Sequence, residues 1–339
     1  MQKPSLPRPP LELLDLATGY QRSKALFTFV ELRVATLLAY APQALSHEEL
    51  ARILEVHPLA VDRLLNVCVA LGLLERDQKG EGYRNSALAE EFLVEGRPTY
   101  LGAQLLNYDR TSYPLWADLT TKLREWRPAK TDDETPPADD QGAESMSAQH
   151  NLALLVGSAL GASYDFSQHR RMLDLGGGTA AMSIGVCAQH AHLRSTVFDL
   201  PLITREASKF IAAAGLADQI KVEGGNFKED DLPNEFDVAL LANLLSVASE
   251  RTNRQLFERI HRLLPAGGAI ILSGWILNDD RTGPLIPLLF CLEDIGWQAA
   301  DVERTRSRYQ SWLADAGFVS LEHRAYCAPT SMIIGRKKL

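Results

Sequence analysis

The sequence predicts an α/β fold in which a doubly wound, mostly parallel sheet follows a mainly α-helical winged-helix domain. Strand-like apolar segments alternate with helical segments in the second half of the 339-residue chain, and a glycine turn ends the first of these strands. Helical segments and a short hairpin pattern precede them. Alternation of strands and helices is typical of parallel sheets, in which ligands bind beyond the carboxyl ends of the strands.

The winged-helix domain, residues 1–105, is predicted from helix signals and a hairpin. Ser46 and Glu49 form a capping box that begins one helix. The next helix has one apolar face, made by Val61, Leu64, Leu65 and Cys68. Between His57 and Leu71 its only full positive charge is Arg63, whereas DNA binding requires several phosphate contacts from Lys or Arg. We therefore favour dimerisation and substrate binding over DNA binding.

A connecting region, residues 106–146, separates this domain from the sheet domain, residues 147–339. It contains an acidic, proline-bearing loop to which we assign no chemistry. A lead-in helix is predicted from Ser147 to Gly161. The strands of the sheet are predicted at Arg171–Leu175, Arg194–Asp199, Ile220–Glu223, Phe236–Leu241, Ala269–Leu277, Phe318–Tyr326 and Ser331–Gly335.

Two of these strands end in residues that suit a nucleoside. Gly176 and Gly178 follow the first strand, where glycine lets a ligand approach the backbone closely. Asp199 ends the next strand about 23 residues later, near the roughly 20-residue spacing at which an acid meets ribose hydroxyls. The glycine spacing does not suit a dinucleotide, and Asp174 favours a cofactor with a cationic amino-acid tail. The pattern is typical of S-adenosylmethionine (SAM) sites.

The charge, cysteine spacing and hydropathy of the chain argue against nucleic-acid, metal and membrane partners. The net charge of −8 disfavours nucleic acid as the main partner, because phosphate binding needs a basic face. The four cysteines lack metal-ligand spacing, so no metal site is predicted. The chain starts without an apolar signal segment, and no window is apolar enough for a membrane span. A cytoplasmic enzyme without a membrane partner is expected.

Several motifs together resemble the plant and bacterial O-methyltransferases that use SAM on small molecules. These motifs are Gly19–Leu26, Ala70–Glu75, Tyr164–Ser167, Asp174–Gly178, Phe198–Pro201, Leu263–Gly268 and Trp312–Phe318. The similarity covers nearly the whole chain. It implies a class I methyltransferase fold, an intertwined homodimer, an acceptor pocket between the two domains, and S-adenosylhomocysteine as the cofactor product.

The resemblance also implies the cofactor contacts. They are Asp174, Gly176, Gly178, Asp199, Leu200, Asn226, Phe227 and Asn243. The two glycines face the methionine part of SAM, Asp199 holds the ribose, and Leu200 packs on the adenine. Asn226 replaces the acid that usually contacts adenine, and its carbonyl oxygen can still meet the adenine amino group.

The chain departs from the family at the catalytic histidine. Ser246 stands at that position, and Gly274 stands where an acid often orients the histidine. Holding a phenol of pKa ~10 as phenolate at pH 7 costs about 4 kcal/mol, a thiol about 2, and a thioether nothing. The missing base therefore favours a sulfur acceptor, such as a methylthio-hydroxy acid, methylated by proximity and orientation. In this the chain is similar to the bacterial methylthio-hydroxybutyrate S-methyltransferases of dimethylsulfoniopropionate synthesis.

Two alternatives stay open. One is C- or O-methylation of an aromatic or polyketide-like metabolite, with another side chain as the base; the other is a DNA-binding regulator that senses SAM. The candidate catalytic residues are His150, Ser246 and Tyr113. The candidate acceptor-binding residues are Tyr108, Arg110, Leu289 and Trp297. Arg304 is expected to be an ion-pair partner rather than an acceptor contact.

Overall fold

The computed structural model describes residues 10–127, 140–297 and 304–339, without the side chains of residues 140–143, 296 and 297. The chain divides into two compact units between Thr111 and Ser112. No helix among the described residues is long and apolar enough to cross a membrane.

The first unit is a helical domain with one small hairpin. Its helices are α1 (Leu11–Ala17), α2 (Gly19–Glu31), α3 (Val34–Tyr40), α4 (His47–Leu54), α5 (Pro58–Ala70), α6 (Ala87–Phe92) and α7 (Gly102–Arg110). Strands β1 (Leu74–Arg76) and β2 (Tyr83–Asn85) pair antiparallel and form the wing. The capping box at Ser46 and Glu49 is present and begins α4. The winged-helix prediction is therefore confirmed.

Helices α2 and α3 are separate because the backbone turns at Arg33. That residue has φ 55°, in the left-handed region, where a helix cannot continue. The continuous apolar pattern from Leu26 to Tyr40 does not reveal this break. Both helices still bury their apolar side chains in one core, with Phe29 and Val34 fully buried.

The second unit is the sheet domain with its helices. The helices are α8 (Ser112–Ala117), α9 (Leu119–Glu125), α10 (Asp140–Ser163), α11 (Ala181–Cys187), α12 (Pro201–Ala213), α13 (Glu250–Leu263), α14 (Leu285–Trp297) and α15 (Arg306–Asp315). The strands are β3 (Arg171–Leu175), β4 (Arg194–Asp199), β5 (Ile220–Gly224), β6 (Val238–Ala242), β7 (Ala269–Gly274), β8 (Val319–Cys327) and β9 (Thr330–Arg336).

The seven strands form one sheet in the order β5-β4-β3-β6-β7-β9-β8. The first five are parallel, whereas β9 runs antiparallel to both β7 and β8. Chain order runs outward from β3 to β5 on one side and from β6 to β7 on the other. The reversal at β3 and β6 creates the crevice in which ligands of such sheets bind. The predicted doubly wound sheet is confirmed.

Apolar side chains cover both faces of this sheet. One core contains Leu173, Leu175 and Ile270 from the strands, packed against side chains of α13 and α15 such as Phe257 and Trp312. The other contains Met172, Val238 and Ile271, packed against α10, α11 and α12. Because alternate residues of a strand face opposite sides, Asp174 points to the same side as Met172. An acid therefore lies on a face that is otherwise apolar.

Candidate active site

The glycine turn follows β3 in the conformation that its residue types require. Gly176 has φ +66° and Gly178 has φ +57°. Residues other than glycine rarely adopt these backbone angles. A Cβ on Gly176 would lie 2.5 Å from Leu244 Cδ1, whereas a Cβ on Gly178 would meet nothing within 4 Å. Ala180, at the end of the turn, also has a positive φ of 63°. The turn is thus closed toward Leu244 and open beside Gly178.

Asp199 links the ends of β3 and β4. Its Oδ2 accepts a hydrogen bond from the Gly178 amide at 2.8 Å, and its Oδ1 accepts one from the Leu200 amide at 2.7 Å. Burial raises the pKa of this carboxyl group, and the two amide donors oppose that effect. Each carboxylate oxygen can accept a further hydrogen bond. The side chain therefore fixes the turn and still has acceptor capacity for a ligand.

Asp174 lies beneath the turn rather than at its surface. Its side chain is fully buried, and its Oδ2 accepts a hydrogen bond from Ser183 at 2.6 Å. Within the described residues, its Oδ1 has no hydrogen-bond partner. Burial raises the pKa of Asp174 to about 6. The carboxylate packs directly against the turn, because a Cβ on Gly177 would lie 2.8 Å from its Cγ. Its contact with a cationic cofactor tail stays a prediction.

His150 lies on α10, beside the glycine turn. Its Nδ1 is 2.8 Å from the hydroxyl of Thr179, and its ring stacks on Phe210 with centroids 3.7 Å apart. Burial lowers the pKa of His150 to about 4. Both contacts hold the ring in the packing beside the turn. Its role as a candidate base in the C- or O-methylation alternative stays a prediction, and these contacts support a role in packing the turn.

The loop after β5 carries Asn226 and Phe227. The Asn226 side-chain oxygen accepts a hydrogen bond from the Lys228 backbone amide at 3.1 Å. The backbone amide of Asn226 donates to the Asp230 carboxylate at 2.8 Å. Phe227 is half-buried and packs on the core beneath the sheet. Leu200, also half-buried, is the residue before α12. These residues bring one amide group and two apolar side chains to the same edge as the turn.

The ends of β6 and β7 carry small, uncharged residues. Asn243 has φ 52° and is exposed, and a Cβ on Gly274 would lie 2.9 Å from its Oδ1. Ser246, in a short 3-10 helix over Leu245–Val247, donates a long hydrogen bond of 3.5 Å to the Asn243 carbonyl. Glycine at 274 therefore leaves room for the Asn243 side chain. Neither position supplies an acid or a base.

An acid that the sequence analysis did not single out lies on α14. Glu293 is buried and accepts two hydrogen bonds of 2.7 Å, one from the Ser112 hydroxyl and one from the Trp116 indole N–H. Neither the charge pattern nor the residue spacing in the sequence points to Glu293, because its two partners are about 180 residues away. Arg304 forms an ion pair with Asp294, as expected.

The candidate acceptor-binding residues lie in several elements. Tyr108 and Arg110 belong to α7 in the first unit, where Arg110 is exposed. In the second unit, Tyr113 is a half-buried residue of α8. Leu289 on α14 is 40% exposed, so it is not a core residue. The side chain of Trp297 lies outside the described residues. No group of three or more potential metal ligands occurs in the described part of the chain.

Comparison with known proteins identifies the family. Residues 131–319 match the O-methyltransferase domain, and residues 14–95 match the O-methyltransferase dimerisation domain. The tetracenomycin polyketide synthesis 8-O-methyl transferase of Streptomyces glaucescens is 32% identical over 334 residues, covering 97% of each chain. The 3-hydroxy-5-methyl-1-naphthoate 3-O-methyltransferase of Streptomyces sahachiroi is 33% identical, covering 94% of this chain and 92% of the relative.

The structural comparison agrees. The crystal structure of human N-acetylserotonin methyltransferase in complex with SAM has a TM-score of 0.87 and 30% sequence identity, with both chains covered completely. The cofactor of this family is SAM, and the geometry described above fits it. The turn is open beside Gly178, a carboxylate oxygen of Asp174 lies unpartnered beneath it, and Asp199 retains acceptor capacity. The chain belongs to the SAM-dependent O-methyltransferase family and contains both its methyltransferase domain and its dimerisation domain.

Proposed function

We propose that the protein is a homodimeric enzyme that transfers the methyl group of SAM to a hydroxyl group of a small aromatic or polyketide-like molecule. The similarity along 97% of the chain to an O-methyl transferase of polyketide synthesis is the observation that carries this proposal. The naphthoate 3-O-methyltransferase supports the same acceptor class. The names of these relatives contain no sulfur acceptor, so the predicted thioether or thiol is not supported. The proposal follows the alternative instead.

In this proposal the ends of β3, β4 and β5 hold SAM, which supplies a methyl group made electrophilic by a sulfonium. Gly176 and Gly178 let the methionine part approach the backbone. Asp199 accepts hydrogen bonds from the ribose hydroxyls, and Leu200 and Phe227 contact the adenine. The remaining task of the chain is to hold the acceptor oxygen in line with the methyl group.

The homodimer is supported by the apolar surface of α1. None of its residues is buried, and the exposed fractions of its four leucines run from 51% to 78%, for Leu11, Leu13, Leu14 and Leu16. Exposed apolar surface of this kind marks interaction sites. The dimerisation-domain match begins within this helix, at residue 14. A second copy of the chain is therefore the proposed partner of α1.

A methyl-transfer assay tests the acceptor class. SAM labelled in its methyl group would be incubated with the protein and separate panels of hydroxynaphthoates, simpler phenols, thiols, thioethers, amines and activated carbon acids. We expect label in a methyl ether of a phenolic acceptor, identified by mass spectrometry. Label only in a sulfonium or thioether product would overturn the proposal and restore the sulfur acceptor.

Sedimentation velocity tests the dimer. The wild-type protein should sediment with twice the mass of one chain. Charged residues in α1, introduced as Leu13→Glu with Leu16→Glu, should reduce this to the mass of one chain. The matched control is Leu59→Glu, which alters an exposed leucine of α5 and should leave the mass unchanged. A wild-type protein with the mass of one chain would contradict the proposal.

A further inference from the structure

We infer that Glu293 is the proton acceptor for the methylated hydroxyl group, and that it takes over the task of the missing histidine. This inference rests on the proposed O-methylation. Its starting point is a buried carboxylate, held by two donors, that no part of the cofactor site uses. Burying a charged side chain is costly unless it is paired or hydrogen-bonded, so such groups mark functional sites.

The fold brings α14 back to the edge of the sheet where the parallel strands end. The segment that contains α14 begins and ends beside the residues that follow β7. The Leu277 amide donates to the Arg304 carbonyl at 2.8 Å, and the Arg306 amide donates to the Leu277 carbonyl at 3.1 Å. Trp275, the residue after β7, packs its ring against Phe290 of α14 with centroids 4.2 Å apart. The helix is thus anchored next to Gly274, where the family's acid would stand.

Glu293 follows Phe290 by three residues. Side chains three apart on a helix lie on the same face, one turn from each other. The carboxylate therefore lies on the face of α14 that is anchored to the end of β7. On the next turn toward the start of the helix, Leu289 and Ile286 are 40% and 48% exposed, which leaves apolar surface beside the acid for a flat acceptor.

The two donors fix the carboxylate in position. Ser112 and Trp116 lie one turn apart on α8 and donate to different oxygens of Glu293. A carboxylate oxygen can accept more than one hydrogen bond. Ser112 and Trp116 are therefore positioning residues in this scheme.

Other ionisable groups near this edge are less suited. Asp294 is held in an ion pair by Arg304. Tyr309 is buried in the core, and burial raises the pKa of its hydroxyl far above the ordinary range. His150 is held by Thr179, 2.8 Å from its Nδ1, and by stacking on Phe210. Among these four groups of the described residues, only Glu293 is a carboxylate held in a fixed position on the face of α14 that packs against Trp275.

The proposed step transfers the methyl group to the acceptor oxygen and the hydroxyl proton to Glu293. A lone pair of the acceptor oxygen forms the new C–O bond while the C–S bond of the donor breaks, and its electron pair stays on the sulfur of S-adenosylhomocysteine. The O–H proton passes to a carboxylate oxygen of Glu293, which later releases it to water. A carboxylate is basic enough, because the hydroxyl proton becomes strongly acidic as the oxygen gains its third bond.

The test compares Glu293→Gln with the wild-type protein. Glutamine keeps an acceptor oxygen for one of the two donors but cannot take a proton, so we expect kcat to fall about 100-fold while SAM affinity in calorimetry stays unchanged. Because only the wild type can pass the hydroxyl proton to this side chain, its kcat for 3-hydroxy-1-naphthoate should show a solvent deuterium isotope effect that the variant lacks. Glu258→Gln, the same change at an exposed position of α13, is the control and should behave as the wild type.

A second variant covers the case in which Glu293→Gln does not fold. Trp116→Phe removes one donor to the carboxylate but keeps the acid, so kcat should fall by less than in Glu293→Gln and the solvent isotope effect should persist. A Trp116→Phe protein without the isotope effect, or a Gln variant with the wild-type kcat and isotope effect, would overturn the role of Glu293 while leaving O-methylation intact. A wild-type protein that methylates no hydroxyl group would instead overturn the proposed function, and the inference with it.

Discussion

The strand ends on the two sides of the sheet's reversal point differ in chemistry although they share one edge. The ends of β3 and β4 carry two carboxylates: Asp199 accepts a hydrogen bond from Gly178 of the glycine turn, and the buried Asp174 accepts one from Ser183 of α11. The ends of β6 and β7 carry Asn243, Ser246 and Gly274, which cannot take a proton. The proposed cofactor half, at the ends of β3 and β4, thus carries carboxylates, whereas the proposed acceptor half, at the ends of β6 and β7, carries neither an acid nor a base at these positions.

The largest effect is expected on SAM affinity, from a substitution in the cofactor half. Asp199→Ala removes the acceptor of the Gly178 and Leu200 amides together with the proposed ribose contact. Because hydrogen bonds to a charged group contribute about 1.5–3 kcal/mol each, SAM affinity should fall about 100-fold or more. Isothermal titration calorimetry with SAM measures this. Asp199→Asn, which keeps one acceptor oxygen, should lose less, and equal losses would show that the carboxylate's charge has no role.

A pair of glycine variants separates the closed and open sides of the turn. Both Gly176→Ala and Gly178→Ala strain a left-handed backbone by about 1–2 kcal/mol. Gly176→Ala also drives a methyl group into Leu244, 2.5 Å away, and should lose a further ~1–3 kcal/mol of unfolding free energy.

Gly178→Ala meets open space in the protein alone, so its main effect should be on SAM affinity. Urea unfolding and calorimetry measure the two quantities. Gly178→Ala protein that binds SAM as the wild type does would place the cofactor away from this side of the turn.

The packing role of His150 predicts a pH-dependent stability. Its folded pKa of about 4 lies below the ordinary value of 6.5, so its stabilising contribution is present above pH 6.5 and is lost as the pH falls toward 4. At pH 5 the loss should be about 2 kcal/mol of unfolding free energy. Between pH 8 and pH 5, the free energy of unfolding of His150→Gln should decrease by about 2 kcal/mol less than that of the wild type.

Urea unfolding at the two pH values makes the measurement. Thr179→Val is the matched control: it removes the hydroxyl partner of His150, yet it should keep the drop, because burial is the cause of the low pKa. A base at His150 would instead give the wild type a pH–rate limb that disappears in His150→Gln.

The smallest effect is expected at the acceptor half. Ser246 makes one long hydrogen bond of 3.5 Å, and its hydroxyl is not acidic or basic near neutral pH. Ser246→Ala should therefore change kcat less than about threefold, since no general-base contribution of roughly 10²–10⁴ is lost. Steady-state kinetics with the best phenolic acceptor checks it. A loss of 100-fold would make Ser246 catalytic after all.

Local patterns were sufficient for the strands that position the cofactor. The predicted bounds Arg171–Leu175 and Arg194–Asp199 match β3 and β4 residue for residue, because buried parallel strands are short apolar runs with clear ends. The predicted strand Ala269–Leu277 continued past Gly274, where β7 ends. Apolar residues follow that glycine, and composition cannot distinguish a strand from the segment that leads to α14.

Long-range contacts decided what these patterns could not. From the sequence, His169 looks like a surface residue of a loop or helix end. In the structure it is buried, with its ring nitrogens 2.9 Å from the Tyr164 hydroxyl and 3.2 Å from an Asp237 oxygen. Asp237 lies 68 residues away in the sequence. The same limit applies to Glu293, whose donors sit on α8. A polar side chain looks exposed in sequence when its partners come from distant elements.

The sequence by itself determined the sheet domain, the glycine turn, the acid that follows it and the absence of a base at Ser246. These features depend on residue type and on spacing within about thirty residues, which backbone geometry translates directly into turns and strand ends. The tertiary structure alone decided that Asp174 lies beneath the turn, that His150 packs against Phe210, and that Glu293 is a fixed buried carboxylate. Burial and hydrogen-bond partners arise only when distant elements pack, and they set the charge and basicity of each side chain.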